Sequence, residues 1–153
     1  MKKVRTIMTA TLIIFGILCT VNAFAADDEK KAAVSMVNEA VKMMKTAGKA
    51  KTLAAISDPQ GAFVKGEIYV FAYDFNGVIV AHPKNPKLIG KNMLEVPDVD
   101  GKLFRKDIVA IAKKKDPGWV DYKYKNPESG KIEHKTTYVT GAEDIAVCCG
   151  VYK

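Results

Sequence analysis

The tightest constraint on this fold lies in the middle of the chain. Glu67 to Asp74 alternates aromatic and aliphatic side chains: Tyr69, Phe71 and Tyr73 fall on one face, Ile68, Val70 and Ala72 on the other. Phe75-Asn76-Gly77 follows, then the short apolar run Val78 to His82. Asn-Gly between two such runs is the strongest short hairpin signal, because both residues tolerate positive φ. An antiparallel hairpin is therefore expected here, and the rest of the domain must be built around it.

The flanking segments supply the other layer. Asp28 to Ala47 carries Val34, Val37, Val41 and Met44 at helical spacing, widened by Ala33, Met36, Ala40 and Met43. Asp27 or Asp28 can cap it, and Gly48 can end it. A short helix is expected over Ala50 to Ile56. Pro83 to Asp100 reads as a long surface loop, a place where function often resides. Lys102 to Lys115 reads as a helix burying Leu103, Phe104, Ile108 and Ile111. Three strands complete the pattern: Trp119 to Lys125, Ile132 to Thr140 and Ile145 to Tyr152. The expected class is α+β, with an antiparallel sheet and a long N-terminal helix packed on one face.

The N-terminus bears on compartment. Lys2, Lys3 and Arg5 precede the apolar run Ile7 to Val21, and Ala23-Phe24-Ala25 is an A-x-A pattern. That is the order of a secretory signal peptide. The apolar run is shorter than the roughly 20 residues that span a bilayer. Residues 1–25 are expected to be a signal peptide cleaved after Ala25, and 26–153 a single periplasmic or secreted domain. Once Lys2, Lys3 and Arg5 are gone, the charge is mildly basic and Arg105 is the one remaining arginine. Scattered lysines without an arginine stripe argue against nucleic acid. No later stretch is apolar and long enough to span a membrane.

Chemistry-bearing motifs are sparse. Cys148 and Cys149 are adjacent, and neighbours on a strand point to opposite faces, so buried reduced thiols are expected rather than a redox pair. Asp98 and Asp100 lack the later glutamate of an EF-hand loop and read as a turn or helix cap. There is no haem, zinc, G-x-S-x-G or H-E-x-x-H pattern. No metal, cofactor or catalytic residue is expected, and the chain reads as a non-enzyme.

An ordered series of segments resembles the single Cache domains of the second type, extracellular sensors with a PAS-like fold. The series is Tyr69 to Gly77 leading into Ala81-His82-Pro83, then Leu88-Ile89-Gly90-Lys91-Asn92, Asp98-Val99-Asp100-Gly101, Gly118-Trp119-Val120-Asp121-Tyr122, Lys135-Thr136-Thr137-Tyr138 and Gly150-Val151-Tyr152. The resemblance covers nearly all of 26–153. It implies a five- to six-stranded antiparallel sheet with a small-molecule pocket on one face. It also implies a ligand that is an organic acid or amino acid, and a receptor or kinase partner in signal transduction such as chemotaxis. The chain ends just after its last strand, so a stand-alone periplasmic binder is expected.

A carboxylate ligand needs a cation or several N–H donors and aromatic walls. Lys135 and Tyr138 match the family's K-x-x-Y pattern, with Lys135 the candidate for the anionic end. A flat strand would set the two on opposite faces, and a bulge or a strand end between them would bring them together. Tyr69, Phe71 and Tyr73 either wall the pocket or pack beneath the N-terminal helix. Of Trp119 and Tyr122, one is expected in the core, and Tyr124 shares the face of Tyr122. His82 can bond a ligand or brace the loop after it. Arg105 borders the pocket region, and a surface role is expected for it. Two rival readings are a protein that pairs through the Val34, Val37 and Val41 stripe, and a redox protein using Cys148 and Cys149.

Overall fold

The structure, a computed structural model, describes residues 20–153, with side chains from residue 26. Residues 1–19 of the expected signal peptide lie outside the described residues. Among the described residues, three α-helices pack with a six-stranded antiparallel sheet. The order along the chain is α1 (Thr20–Ala47), α2 (Lys49–Ser57), β1 (Val64–Lys65), β2 (Ile68–Asp74), β3 (Ile79–Ala81), α3 (Phe104–Lys114), β4 (Gly118–Lys125), β5 (Ile132–Ala142) and β6 (Ile145–Tyr152). Across the sheet the order is β1-β2-β6-β5-β4, with β3 also paired to β2. The last strand therefore lies in the centre, between β2 and β5.

Period-2 alternation sorts the two faces. Val70, Ala72, Val147, Cys149 and Val151 meet Ala33, Met36, Val37, Ala40 and Met44 of α1. Tyr69, Phe71, Tyr73, Val120, Tyr122, Val139 and Cys148 point the other way, toward Phe104, Ile108 and Ala112 of α3. The aromatic row of β2 thus lies on the face opposite α1. Cys148 and Cys149 are free, buried and on opposite faces. Burial raises both thiols, Cys149 to about 12, so neither presents a ready thiolate.

One sequence expectation about the elements needs correction. Helix α1 starts at Thr20 rather than Asp28, so Asp27 and Asp28 lie inside a helical turn instead of capping it. Nothing in Ala25-Ala26 breaks a helix. The two aspartates pair instead with Lys31, at 2.7 Å and 3.5 Å. The expected hairpin forms, with Phe75-Asn76-Gly77 in the turn between β2 and β3. Among the hairpin residues Gly77 alone has positive φ. The Asp74 carboxylate accepts the Asn76 and Val78 N–H groups, and a register shift at Ala72/Tyr73 absorbs the extra length. An aspartate-closed turn with a bulge therefore joins the two strands.

Val37 is fully buried against the sheet, and Val34 and Val41 are half-buried. The α1 stripe is therefore largely used within the domain. Among the described residues, no helix is long and apolar enough to cross a membrane.

Candidate functional site

The α3 face of the sheet does not close completely. Between α3 and the far ends of β2 and β4, the segment 83–103 arches over the sheet and leaves an open cleft of about 590 Å³. Tyr69, His82, Arg105 and Tyr124 line its inner part, with Leu88, Met93, Val96, Pro97 and Asp98 from the arch. The arch is pinned at several points. Asn92 bridges Val78. The Asp98 carboxylate accepts the backbone N–H groups of Asp100, Lys102 and Lys123, which ties the arch to β4. Those three donors, Lys123 foremost, hold the Asp98 carboxyl below its ordinary range.

Two cations stand at this face. The side chain of Lys135 is buried, and its Nζ donates to the Tyr69 hydroxyl at 2.9 Å and the Tyr152 hydroxyl at 3.1 Å. It lies 4.3 Å and 4.4 Å from the centres of those two rings. Its stem crosses Gly150, where a Cβ would collide with Lys135 Cε. Burial pulls the ammonium down to about 7.

Arg105 is the second cation. Its Nε donates to the Tyr73 hydroxyl at 3.3 Å, and its Nη1 to the Val96 carbonyl at 2.8 Å. The guanidinium lies 4.1 Å from the centre of the Phe104 ring. A guanidinium carries five N–H donors, so these two bonds leave donors unused. No side-chain nitrogen among the described residues is both sealed and unpaired, so the unused ones are open to the cleft. Neither Arg105 nor Lys135 forms an ion pair among the described residues.

The buried His82 ring packs against Tyr69 and Phe71. Its Nδ1 accepts the Asn85 N–H at 3.0 Å, so the neutral ring carries its proton on Nε2. Burial, then the Lys135 charge, lowers the imidazole to about 4. Below pH 6.5 the unfolded chain takes up a proton that the folded one refuses, so this residue erodes stability as pH falls from about 6.5 toward 4. In the folded protein, the His82 ring signals in an NMR titration are expected to stay flat from pH 8 to 5. A midpoint above 6 would show that the ring is not held neutral.

A comparison with known protein families matches the single Cache domain 2 model to residues 26–153. The chain belongs to the single Cache domain 2 family. It is 33% identical over 86 residues to the sensor histidine kinase MctS of Rhizobium johnstonii, 55% of this chain and 18% of that protein. It is 31% identical over 71 residues to the methyl-accepting chemotaxis protein McpP of Pseudomonas putida, 46% of this chain and 13% of that one. These matches span less than a fifth of either relative. Among solved structures, a Cache chemosensory domain described for its carboxylic acid recognition superposes with a TM-score of 0.65 at 25% identity. That match covers 87% of this chain and 97% of that one.

This Cache domain gathers some of the residues singled out from sequence and separates others. Tyr69, His82, Arg105 and Tyr124 line the cleft. Phe71, Tyr73, Tyr122 and Lys135 form the layer beneath, with Tyr122 stacked on Phe104 at 3.7 Å and bonded to Thr137 at 2.8 Å. Trp119 and Tyr138 belong to neither layer. They pair across β4 and β5 on the α1 side, with ring centres 5.2 Å apart and Lys30 beside the indole. No bulge interrupts β5, so plain alternation keeps Tyr138 away from Lys135. Arg105 is corrected in the opposite direction: it is 3% exposed rather than on the surface, because its position faces the arch and the sheet. Tyr152 shares the Lys135 ammonium, and its place directly opposite Lys135 in the β5–β6 register explains why. It went unmarked in the sequence because that register was not known.

Proposed function

We propose that this Cache domain is a periplasmic sensor module that binds a small organic carboxylate and passes its bound state to a receptor or kinase partner. The observation that carries this reading is a pair of buried cations, Arg105 lining an aromatic-walled cleft and Lys135 in the layer beneath it, neither of which forms an ion pair among the described residues. Two unpaired cations beside one cavity favour an incoming anion. The relation to MctS and McpP and the likeness to a carboxylic-acid-recognising Cache domain support it. An organic acid fits better than an amino acid. Asp98 is the one carboxylate lining the cleft, and backbone N–H groups already occupy it, so an α-ammonium would find no free counter-charge. The buried thiols of Cys148 and Cys149, on opposite faces of the sheet, support a binder over a redox protein.

The test is a thermal-shift and calorimetric screen of the purified protein against carboxylates. A ligand of the folded state raises the melting temperature by mass action. Arg105→Gln is expected to weaken binding about tenfold or more, as loss of a charged hydrogen-bonding partner implies. The reading fails if no carboxylate shifts the melting temperature, or if Arg105→Gln binds the same acid as the parent does. For the export half, intact mass of the protein from the periplasmic fraction is expected to correspond to a chain starting at Ala26. An uncleaved mass in the cytoplasmic fraction would overturn it.

A further inference from the structure

Five large hydrophobic side chains are exposed among the described residues: Ile89, Val96, Val99, Trp119 and Ile132. Single exposed hydrophobics are ordinary, but three of these five gathered at one cleft are not. Val96, Val99 and Ile132 all line the outer part of the cleft, with Pro97 and Pro127 beside them. Val96 and Val99 come from the arch, Ile132 from the start of β5, so two separate segments bring apolar side chains to the cleft.

Charge is graded the other way. Arg105 stands at the inner end without a counter-ion, whereas the lysines nearer the opening are mostly matched. Lys84 pairs with Glu128 at 2.6 Å, and Lys123 with Asp100 at 3.0 Å. Lys125 is the exposed exception. The cleft's 590 Å³ equals about twenty water volumes. An acid of four or five heavy atoms would leave most of that space to water and the apolar opening uncovered.

We propose that the ligand is a carboxylate with an extended apolar body, an aryl-substituted or medium-chain aliphatic acid, its head at Arg105 and its tail held by Val96, Val99 and Ile132. This rests on the carboxylate reading above and narrows it. Burial of the tail stabilises the complex in proportion to the apolar surface removed from water, roughly fourfold in affinity per fully buried methylene.

The test is calorimetric titration of the purified protein with acetate, propionate, hexanoate and phenylacetate. Hexanoate and phenylacetate are expected to bind at least tenfold more tightly than acetate, with a negative heat-capacity change. The double variant Val99→Asn, Ile132→Thr is expected to cut the ratio of hexanoate to acetate affinity at least fivefold. Both positions are exposed, and an unchanged melting temperature will verify folding. A flat or inverted length series, or a ratio the variant does not move, overturns the apolar tail while leaving carboxylate binding at Arg105 standing. Binding of no acid at any length overturns both.

Discussion

Adding one methyl group at Gly141 is expected to cost this domain about 3 kcal/mol of stability, roughly 10 °C in melting temperature. Gly141 lies on β5 where α3 crosses the sheet. A Cβ there would land on the Ala112 carbonyl oxygen, with the carbonyl carbon 2.8 Å away and Ala112 Cα at 3.2 Å. All three are backbone atoms, so no rotamer change relieves the clash and α3 itself must shift. Because α3 carries Phe104 and Arg105, the shift also disturbs the cleft, and carboxylate affinity is expected to fall with stability. Gly118→Ala is the control, since its Cβ would meet only Ile111 Cδ1 at 3.4 Å, an ordinary contact. Urea and thermal unfolding of both variants measure the difference. Equal melting temperatures for the two would show that α3 does not press on the sheet as closely as described.

Much of this fold was legible because it depends on local pattern. The alternation of Tyr69 to Asp74 and the 3.6-residue spacing of Val34, Val37, Val41 and Met44 each specify an element and its buried side. What the pattern could not supply was pairing. The face carrying Tyr69, Phe71 and Tyr73 was clear, but whether α1 or α3 covers it depends on chain crossing. Arg105 shows the same limit from the other side. As one charged residue in a helix its exposure was the ordinary expectation, and it was overturned because the arch bends back to place the Val96 carbonyl and the Tyr73 hydroxyl within its reach. Tyr138 shows the reverse. Motif matching grouped it with Lys135, strand geometry separated the two, and the geometry prevailed. The apolar ring at the cleft mouth joins residues 96, 99 and 132, which share no local pattern, so only the tertiary fold reveals it.

Lys135→Met is expected to make the domain more stable at pH 6 while abolishing tight carboxylate binding. In the unfolded chain this amine titrates near its ordinary value of 10.5, whereas burial holds it at about 7 in the folded protein. Between those values the unfolded chain carries a proton the folded one lacks, so the parent's stability rises with pH through that window. Below pH 7 both states are protonated, and the full penalty of burying the ammonium opposes folding, on the order of 5 kcal/mol. Methionine fills similar volume without the charge, and the Tyr69 and Tyr152 hydroxyls, 3.5 Å apart, can still pair. The variant's advantage is therefore expected to be largest at pH 6 and to shrink steadily toward pH 10, as read by urea unfolding at each pH. A variant less stable than the parent at pH 6, or an advantage that grows with pH, would mean the buried ammonium is not the destabilising element. Binding supplies the complementary measurement. Carboxylate affinity of the parent is expected to fall as pH rises past 7, because the anion is best held by the protonated amine, while residual binding to the variant stays flat over the same range. A buried, unpaired ammonium that costs stability is consistent with a role completed by the ligand. The acid would then supply, on binding, the counter-charge that the folded chain itself leaves out.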